Sequence, residues 1–464
     1  MIDLWTPTNK KPMLGYGAAL GLLLVLIGSF WLTPAEESST AFGGMFIHDN
    51  FALFFKRFFI LAAILVLLMS VEFSDRISAG ISEYYSLTVF ALSGMMFAAS
   101  ANDFAMLFVS LELITITFYI LVSFQRTQTR SLEAGLKYLV LGALSSAFLV
   151  YGIAFVYGTS GTMNFTELAA LSDEIEAKSL FNLGMLLILA GLGFKIAAFP
   201  YQIWAPDVYQ GAPAPTTAFL AVGSKAAGFV LLLRVLFDAV PEAALHWEKL
   251  LMVIAALTIL YGNLCAIPQR NLKRLLGYSS IANAGYMLMG LAVMSQAGST
   301  AILYYLTGYL FTVMAAFTVI ILVVRQTNSE EIQSLAGLNQ RSPILAATLS
   351  LAMISLAGIP PLAGFFGKFL LIRAVVEQAV TFSYTPYYWL AGIAVIGVVI
   401  SIYYYFGVIR AIYWSKSTPD STPIEVPVII KSAIVLCIIG MFYLGVMPNT
   451  LMEAAATAVQ SLQF

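Results

Sequence analysis

The chain has 464 residues, 60% of them hydrophobic and only 10% charged, with a mean hydropathy of +0.89. That balance excludes a soluble domain and defines a polytopic membrane protein. With 23 Lys+Arg against 24 Asp+Glu and no basic tract, it also excludes nucleic acid as a partner, so partners are to be sought in the membrane.

In chain order, the first apolar run, 12–33, follows Lys10 and Lys11. It is longer than the roughly 7 to 15 residues of a signal-peptide core, so it reads as a retained anchor and not as a leader cleaved near Thr33-Pro34-Ala35. Twelve further apolar segments lie near 51–71, 84–100, 103–123, 131–157, 181–209 (broken), 215–240, 249–267, 274–295, 298–325, 343–373 (broken), 386–412 and 428–447. The expectation is an all-α fold of about 13 transmembrane helices. Loops are short, so sequence neighbours should be spatial neighbours. The longest, Gly158 to Leu180, carries Asp173, Glu174 and Glu176 and is expected to form a small surface helix.

A cytoplasmic N-terminus places Lys10, Lys11, Arg76, Arg126, Arg130, Arg270, Lys273, Arg274, Arg325, Arg341, Arg410, Lys416 and Lys431 on the cytoplasmic side. The opposite side receives only Lys56, Arg57, Lys178, Lys249 and Arg373, with Arg234 near that interface. This asymmetry favours the N-terminus inside and, for an odd number of helices, the C-terminus outside.

The sixth segment breaks at LGFKIAAFP, with Lys195, and the eleventh at SLAGIPPLAGFFGKFLL, with Lys368. These are the fourth members of two five-helix blocks. Because five is odd, the second block enters the membrane from the other side and the repeats are inverted. The implied organisation is two N-terminal helices in 1–83, a first repeat in 84–240, a second in 241–412, and a final helix and tail in 413–464.

An ammonium group at the bilayer centre costs roughly 2.5 to 3.5 kcal/mol on insertion scales, so lysines within spans need a reason. Glu112, alone in FAMLFVSLELITITFYILV, must be protonated, paired or hydrated, and Lys195 is its obvious partner if the fourth and sixth spans meet. The structural alternative is a buried ion pair that only fixes packing. Lys225, after the turn APDVYQGAPAP, and Lys368, after the Pro-Pro break, suit side chains that release and regain protons. Breaks free backbone groups that can hold water beside such lysines. Glu112, Lys195, Lys225 and Lys368 thus form a line of ionisable groups, the candidate catalytic set for proton movement.

Secondary candidates are Glu133 and Lys137, an i to i+4 pair, and Lys273, which with Arg274 otherwise reads as a topology signal. Asp207 reads as a helix cap, with receipt of protons from the cytoplasmic side as the alternative. Tyr403 to Tyr405, Tyr413 and Trp414 read as interface belt and core. Cys265 and Cys437 stand alone in separate segments and His48 and His246 in loops, so they assemble no iron-sulfur, haem or zinc ligand set.

The stretches LGFKIAAFPYQIWAPDVYQGAPAPTTAFL, NLKRLLGYSSIANAGY and SLAGIPPLAGFFGKF resemble the antiporter-like N subunit (subunit 2) of proton-pumping NADH:quinone oxidoreductase, respiratory complex I. The likeness runs from about Tyr84 to Pro448. It implies two inverted half-channels, with no cofactor in this subunit and with NADH, FMN, iron-sulfur clusters and quinone in the parent complex. By position, Glu112 resembles the family's mid-membrane glutamate, Lys195 its partner on the first broken helix, Lys225 the connecting lysine and Lys368 the lysine of the second; Lys137 also falls on a family lysine.

The resemblance further implies a bacterial inner membrane, M-type and small K-, J- and A-type neighbours, and proton transfer driven by quinone reduction elsewhere. A cation (Na+)/proton antiporter subunit is the alternative; it is expected to carry a different turn and histidines after the break. Two departures stand out. The family usually has fourteen helices, the extra one before Pro12, and its proline-Phe-His after the first break reads Pro200-Tyr201-Gln202 here, which removes a titrating group.

Overall fold

A computed structural model describes residues 2–32, 39–77, 80–171, 177–241, 247–415 and 422–463. Numbering helices of seven residues or more, these are α1 (Leu14–Ser29), α2 (Asn50–Glu72), α3 (Ile81–Ala99), α4 (Phe104–Val122), α5 (Thr129–Ser160) and α6 (Phe165–Leu171). They continue as α7 (Lys178–Ile196), α8 (Trp204–Gly211), α9 (Ala214–Ala239), α10 (Glu248–Ala266), α11 (Leu272–Ala292) and α12 (Gln296–Thr327). The last are α13 (Pro343–Ala357), α14 (Ala363–Phe382), α15 (Thr385–Trp414), α16 (Val428–Val446) and α17 (Asn449–Val459).

Helix is present in every one of the apolar segments read from the sequence, and among the described residues ten helices are long and apolar enough to cross a membrane. The others are α3 and α11, which carry more polar residues, and the interrupted α13–α14 pair. The loop after α5 does hold a short helix, α6, although its acidic residues Asp173, Glu174 and Glu176 lie outside the described residues, as do His246, Lys416 and the 33–35 stretch. The fold is nearly all helical. Among the described residues the one sheet is a small antiparallel hairpin, Ser39–Ala41 with Phe46–His48, whose turn runs through Phe42, Gly43 and Gly44 at positive φ.

Local chemistry sets many of the helix starts. Asp49, Asp103, Asn271 and Ser295 cap α2, α4, α11 and α12, each accepting a backbone N–H two or three residues on, at 2.6–3.1 Å. Burial then separates two kinds of helix. In α9 every residue is buried, and in α11 all are except Arg274. A helix apolar or buried all round belongs at the centre of a bundle. By contrast α1, α5, α15 and α16 expose rows of Leu, Val, Ile and Phe, as membrane-facing helices do.

The tightest packing joins α10 to α11 and α5 to α7. In the latter pair Gly152 and Gly184 face each other so closely that a Cβ on either would fall within 3 Å of the other's carbonyl oxygen. Small residues at a crossing let two membrane helices approach backbone to backbone.

Candidate functional site

The two breaks are built alike. Helix α7 ends at Ile196 with Ala197 in the left-handed region (φ 58°), and α13 ends at Ala357 with Gly358 there (φ 81°). Each is followed by a cis X-Pro bond, Phe199-Pro200 and Pro360-Pro361, before the chain re-enters helix. The lysines are placed differently. Lys195 is the next-to-last residue of the half-helix leading into its break, whereas Lys368 lies in the half-helix that leaves the second.

The three central lysines are all buried, at 2–5% exposure, and each ammonium is held by neutral oxygens. Lys195 Nζ donates to Thr115 Oγ1 at 2.6 Å. Lys225 Nζ donates to the Ser280 carbonyl at 2.6 Å and also to the Ser280 hydroxyl. Lys368 Nζ donates to the Leu356 carbonyl at 2.6 Å and lies 4.9 Å from the Tyr286 ring centre. Leu356 is in the last turn of α13, whose carbonyls lose their helical partners where the helix stops. The break therefore supplies the acceptor directly.

The expected Glu112–Lys195 ion pair is not formed. Helix α5 packs against both α4 and α7. Glu112 turns to α5, where Ser146 Oγ donates to its Oε1 at 2.5 Å, while the Lys195 stem crosses to Thr115 one turn along α4. Glu112 is only half-buried, on a lateral face with exposed Val109, Ile116 and Leu144 around it.

Sequence reasoning missed the polar residues that lie between Lys225 and Lys368. Along α11, Ser279, Ser280, Asn283 and Tyr286 form a buried polar seam. Tyr209 shares a 3.0 Å hydrogen bond with the Ser280 hydroxyl, Tyr405 bonds Ser279, and Tyr305 donates to Asn283 Oδ1 at 2.8 Å. Asn283 in turn donates to Ser279 Oγ at 3.4 Å. Tyr286, one turn beyond Asn283, faces Lys368. The signal was present in GYSSIANAGY, whose small polar residues recur at helical spacing in a segment otherwise apolar. Tyr404 and Tyr405, read as belt or core, belong to this buried network; Tyr404 donates to Asn263 Oδ1 at 3.0 Å.

At the end of the bundle where α8 lies, the i to i+4 pair is present: Lys137 meets Glu133 at 2.7 Å. Lys137 also meets Asp207 at 2.8 Å, and Arg274 meets the other Asp207 oxygen at 2.5 Å. Asp207 is thus not a cap. It falls inside the first turn of α8, and two cations from α5 and α11 claim it. Lys273 is not a solvated topology charge either. It is 3% exposed, bonded to Glu330 at 2.7 Å and to the Ala212 carbonyl at 2.8 Å.

At the opposite end Arg234, expected near the interface, is fully buried. It bridges Asp49 and Asp238 at 2.8 Å and donates to the Ala99 carbonyl at 3.1 Å, while the Gln463 amide donates to Asp238 at 3.2 Å. Among the described residues no three His, Cys, Asp or Glu side chains come together as a metal-ligand set.

Fold and site together define an antiporter-like transmembrane subunit. Residues 101–401 match the family model described as "NADH:quinone oxidoreductase/Mrp antiporter, TM". A chain of respiratory complex I from Thermus thermophilus overlays with TM-score 0.78 at 32% identity, covering 96% of this chain and 95% of that one. A chain of the Mrp complex from Dietzia gives TM-score 0.81 over 98% of this chain and 92% of its own, but at 19% identity the likeness is of fold alone. NADH-quinone oxidoreductase subunit N of Desulforamulus reducens is 42% identical over 461 residues, 99% of this chain and 94% of the relative. The chain belongs to the NADH-quinone oxidoreductase subunit N family.

Proposed function

We propose that this chain carries protons across a bacterial inner membrane as a non-redox subunit of an NADH:quinone oxidoreductase, driven by quinone reduction in other subunits. The single observation that carries this reading is the buried line of Lys195, Lys225 and Lys368, with the Ser279–Ser280–Asn283–Tyr286 seam between the last two. Three ammonium groups in the interior of a membrane bundle, bonded to neutral oxygens and, among the described residues, to no carboxylate, can lose and regain protons without breaking an ion pair. Electrostatic repulsion between neighbouring charged lysines then lets protonation of one favour release from the next.

In this reading residues 84–240 and 241–412 are two inverted repeats, each supplying a half-channel. The N-terminus is cytoplasmic and the C-terminus outside. This subunit holds no cofactor; NADH, FMN, iron-sulfur clusters and quinone belong to other parts of the complex. Glu112 supports a shared interface: a half-buried carboxylate among exposed apolar side chains calls for a covering partner at membrane depth. Neighbouring M-type and small K-, J- and A-type subunits are the partners this reading assigns.

The sodium/proton antiporter reading has less support, since the likeness to the Mrp complex is one of fold alone. The decisive experiment reconstitutes the complex carrying Lys195→Ala in vesicles and follows proton uptake and quinone reduction together. Fewer protons per quinone reduced are expected, and an unchanged ratio overturns the mechanism.

A further inference from the structure

A polar cavity of about 490 Å³ lies where α8 ends, with Arg76, Arg130, Gln210, Asn271, Lys273, Glu330 and Glu331 on its walls. Glu331 is exposed, so the cavity reaches the surface. Lys273 is 3% exposed and forms the inner wall, with its ammonium between Glu330 Oε1 and the Ala212 carbonyl. Asn271 Nδ2 donates to the second Glu330 oxygen at 3.1 Å, which fixes the carboxylate. Resting on the reading above, we propose that Glu330 and Lys273 are the proton-uptake pair for Lys225.

Three features carry this. Lys273 and Ser280 are on one face of α11 two turns apart, a rise of roughly 10 Å, and Ser280 is the residue that holds Lys225. Gln210 on the cavity wall adjoins Tyr209, whose hydroxyl also bonds Ser280, so polar groups approach Lys225 from the cavity along two elements. The nearby Asp207 is a poorer acceptor, because two cations already hold it, whereas Glu330 has one, itself buried.

In the transfer, a neutral Lys225 amine takes a proton supplied from the Lys273 ammonium. The Glu330 carboxylate then takes a proton from a hydronium ion in the cavity, releasing water, and passes it to the neutral Lys273 amine, which restores the ammonium–carboxylate pair. Each step breaks one N–H or O–H bond and forms another, with no net change at the pair.

The test uses the intact complex in vesicles. Glu330→Gln keeps the Asn271 and Lys273 contacts sterically possible but cannot cycle a proton. Proton uptake per quinone reduced is expected to fall at least fivefold, to recover in Glu330→Asp, and in Glu330→Ala to recover with millimolar formate, a small acid that can carry protons to Lys273. Loss that formate does not restore marks Glu330 as a packing residue and overturns the proposal. Normal pumping by Glu330→Gln overturns it too. Lys225→Met in parallel separates the two readings. If Lys225→Met stops pumping and Glu330→Gln does not, only the uptake pair is wrong; if neither does, the underlying function is wrong.

Discussion

At the scale of single residues, the costly groups and the groups that connect them obey different rules. Asn283 illustrates the second kind, since it accepts from Tyr305 and donates to Ser279 in a helix that is otherwise closed to water. Asn283→Leu leaves two hydroxyls in the interior with fewer partners, a penalty of about 1–3 kcal/mol. It also cuts the seam between Lys225 and Lys368. We expect proton pumping per quinone to fall roughly tenfold, equivalent to about 1.4 kcal/mol on a barrier, in a complex that still assembles; vesicle pumping assays with a parallel assembly gel read both. The lysines and Glu112 were legible in the sequence because a charge in an apolar run stands out against its surroundings. Ser280, Asn283 and Tyr305 were not, because a neutral polar residue carries little insertion cost and its meaning depends on partners 22 or more residues away.

At the scale of helices, the breaks were readable from Pro200 and the Pro360-Pro361 pair, but the difference between them was not. Ala197 adopts left-handed backbone where Gly358 does so freely, and a non-glycine residue there costs about 1–2 kcal/mol. Gly358→Ala is therefore expected to destabilise by about that amount, and more because its Cβ would lie 3.0 Å from the Lys368 Cδ. Ala197→Gly is expected to hold or raise the thermal midpoint of the purified complex, which a melting experiment on both variants would check. A second feature left no trace in the sequence. Helix α9 contains two π-helical stretches, Leu220–Ser224 just before Lys225 and Arg234–Ala239 beginning at Arg234. Such wide turns gather at functional positions because an added residue re-aims the side chains that follow. The missing Glu112–Lys195 pair has the same origin, since helix order in the sequence did not reveal that α5 packs against both α4 and α7.

At the scale of the whole molecule, the order of the helices followed from hydropathy, while the ties between distant parts did not. Arg234 joins Asp49, 185 residues earlier, to Asp238 on its own helix. Arg234→Leu leaves two carboxylates buried without their cation, and removal of one partner from a buried pair typically costs about 3–5 kcal/mol. The expected result is a sharp fall in the amount of this subunit in the membrane, measured by immunoblot. Recovery is expected when Asp49→Asn and Asp238→Asn are added, and no loss in the single variant would mean that the cluster is not structural.

The same cluster bears on how the protein is made. Asp49 and Arg234 leave the ribosome long before Gln463, whose amide completes the contacts of Asp238. Asp49 can meet its cation only once Arg234, 185 residues later, has been made. The Gln463 contact is made 225 residues after Asp238, so the cluster gains it only after the helices between them have been made.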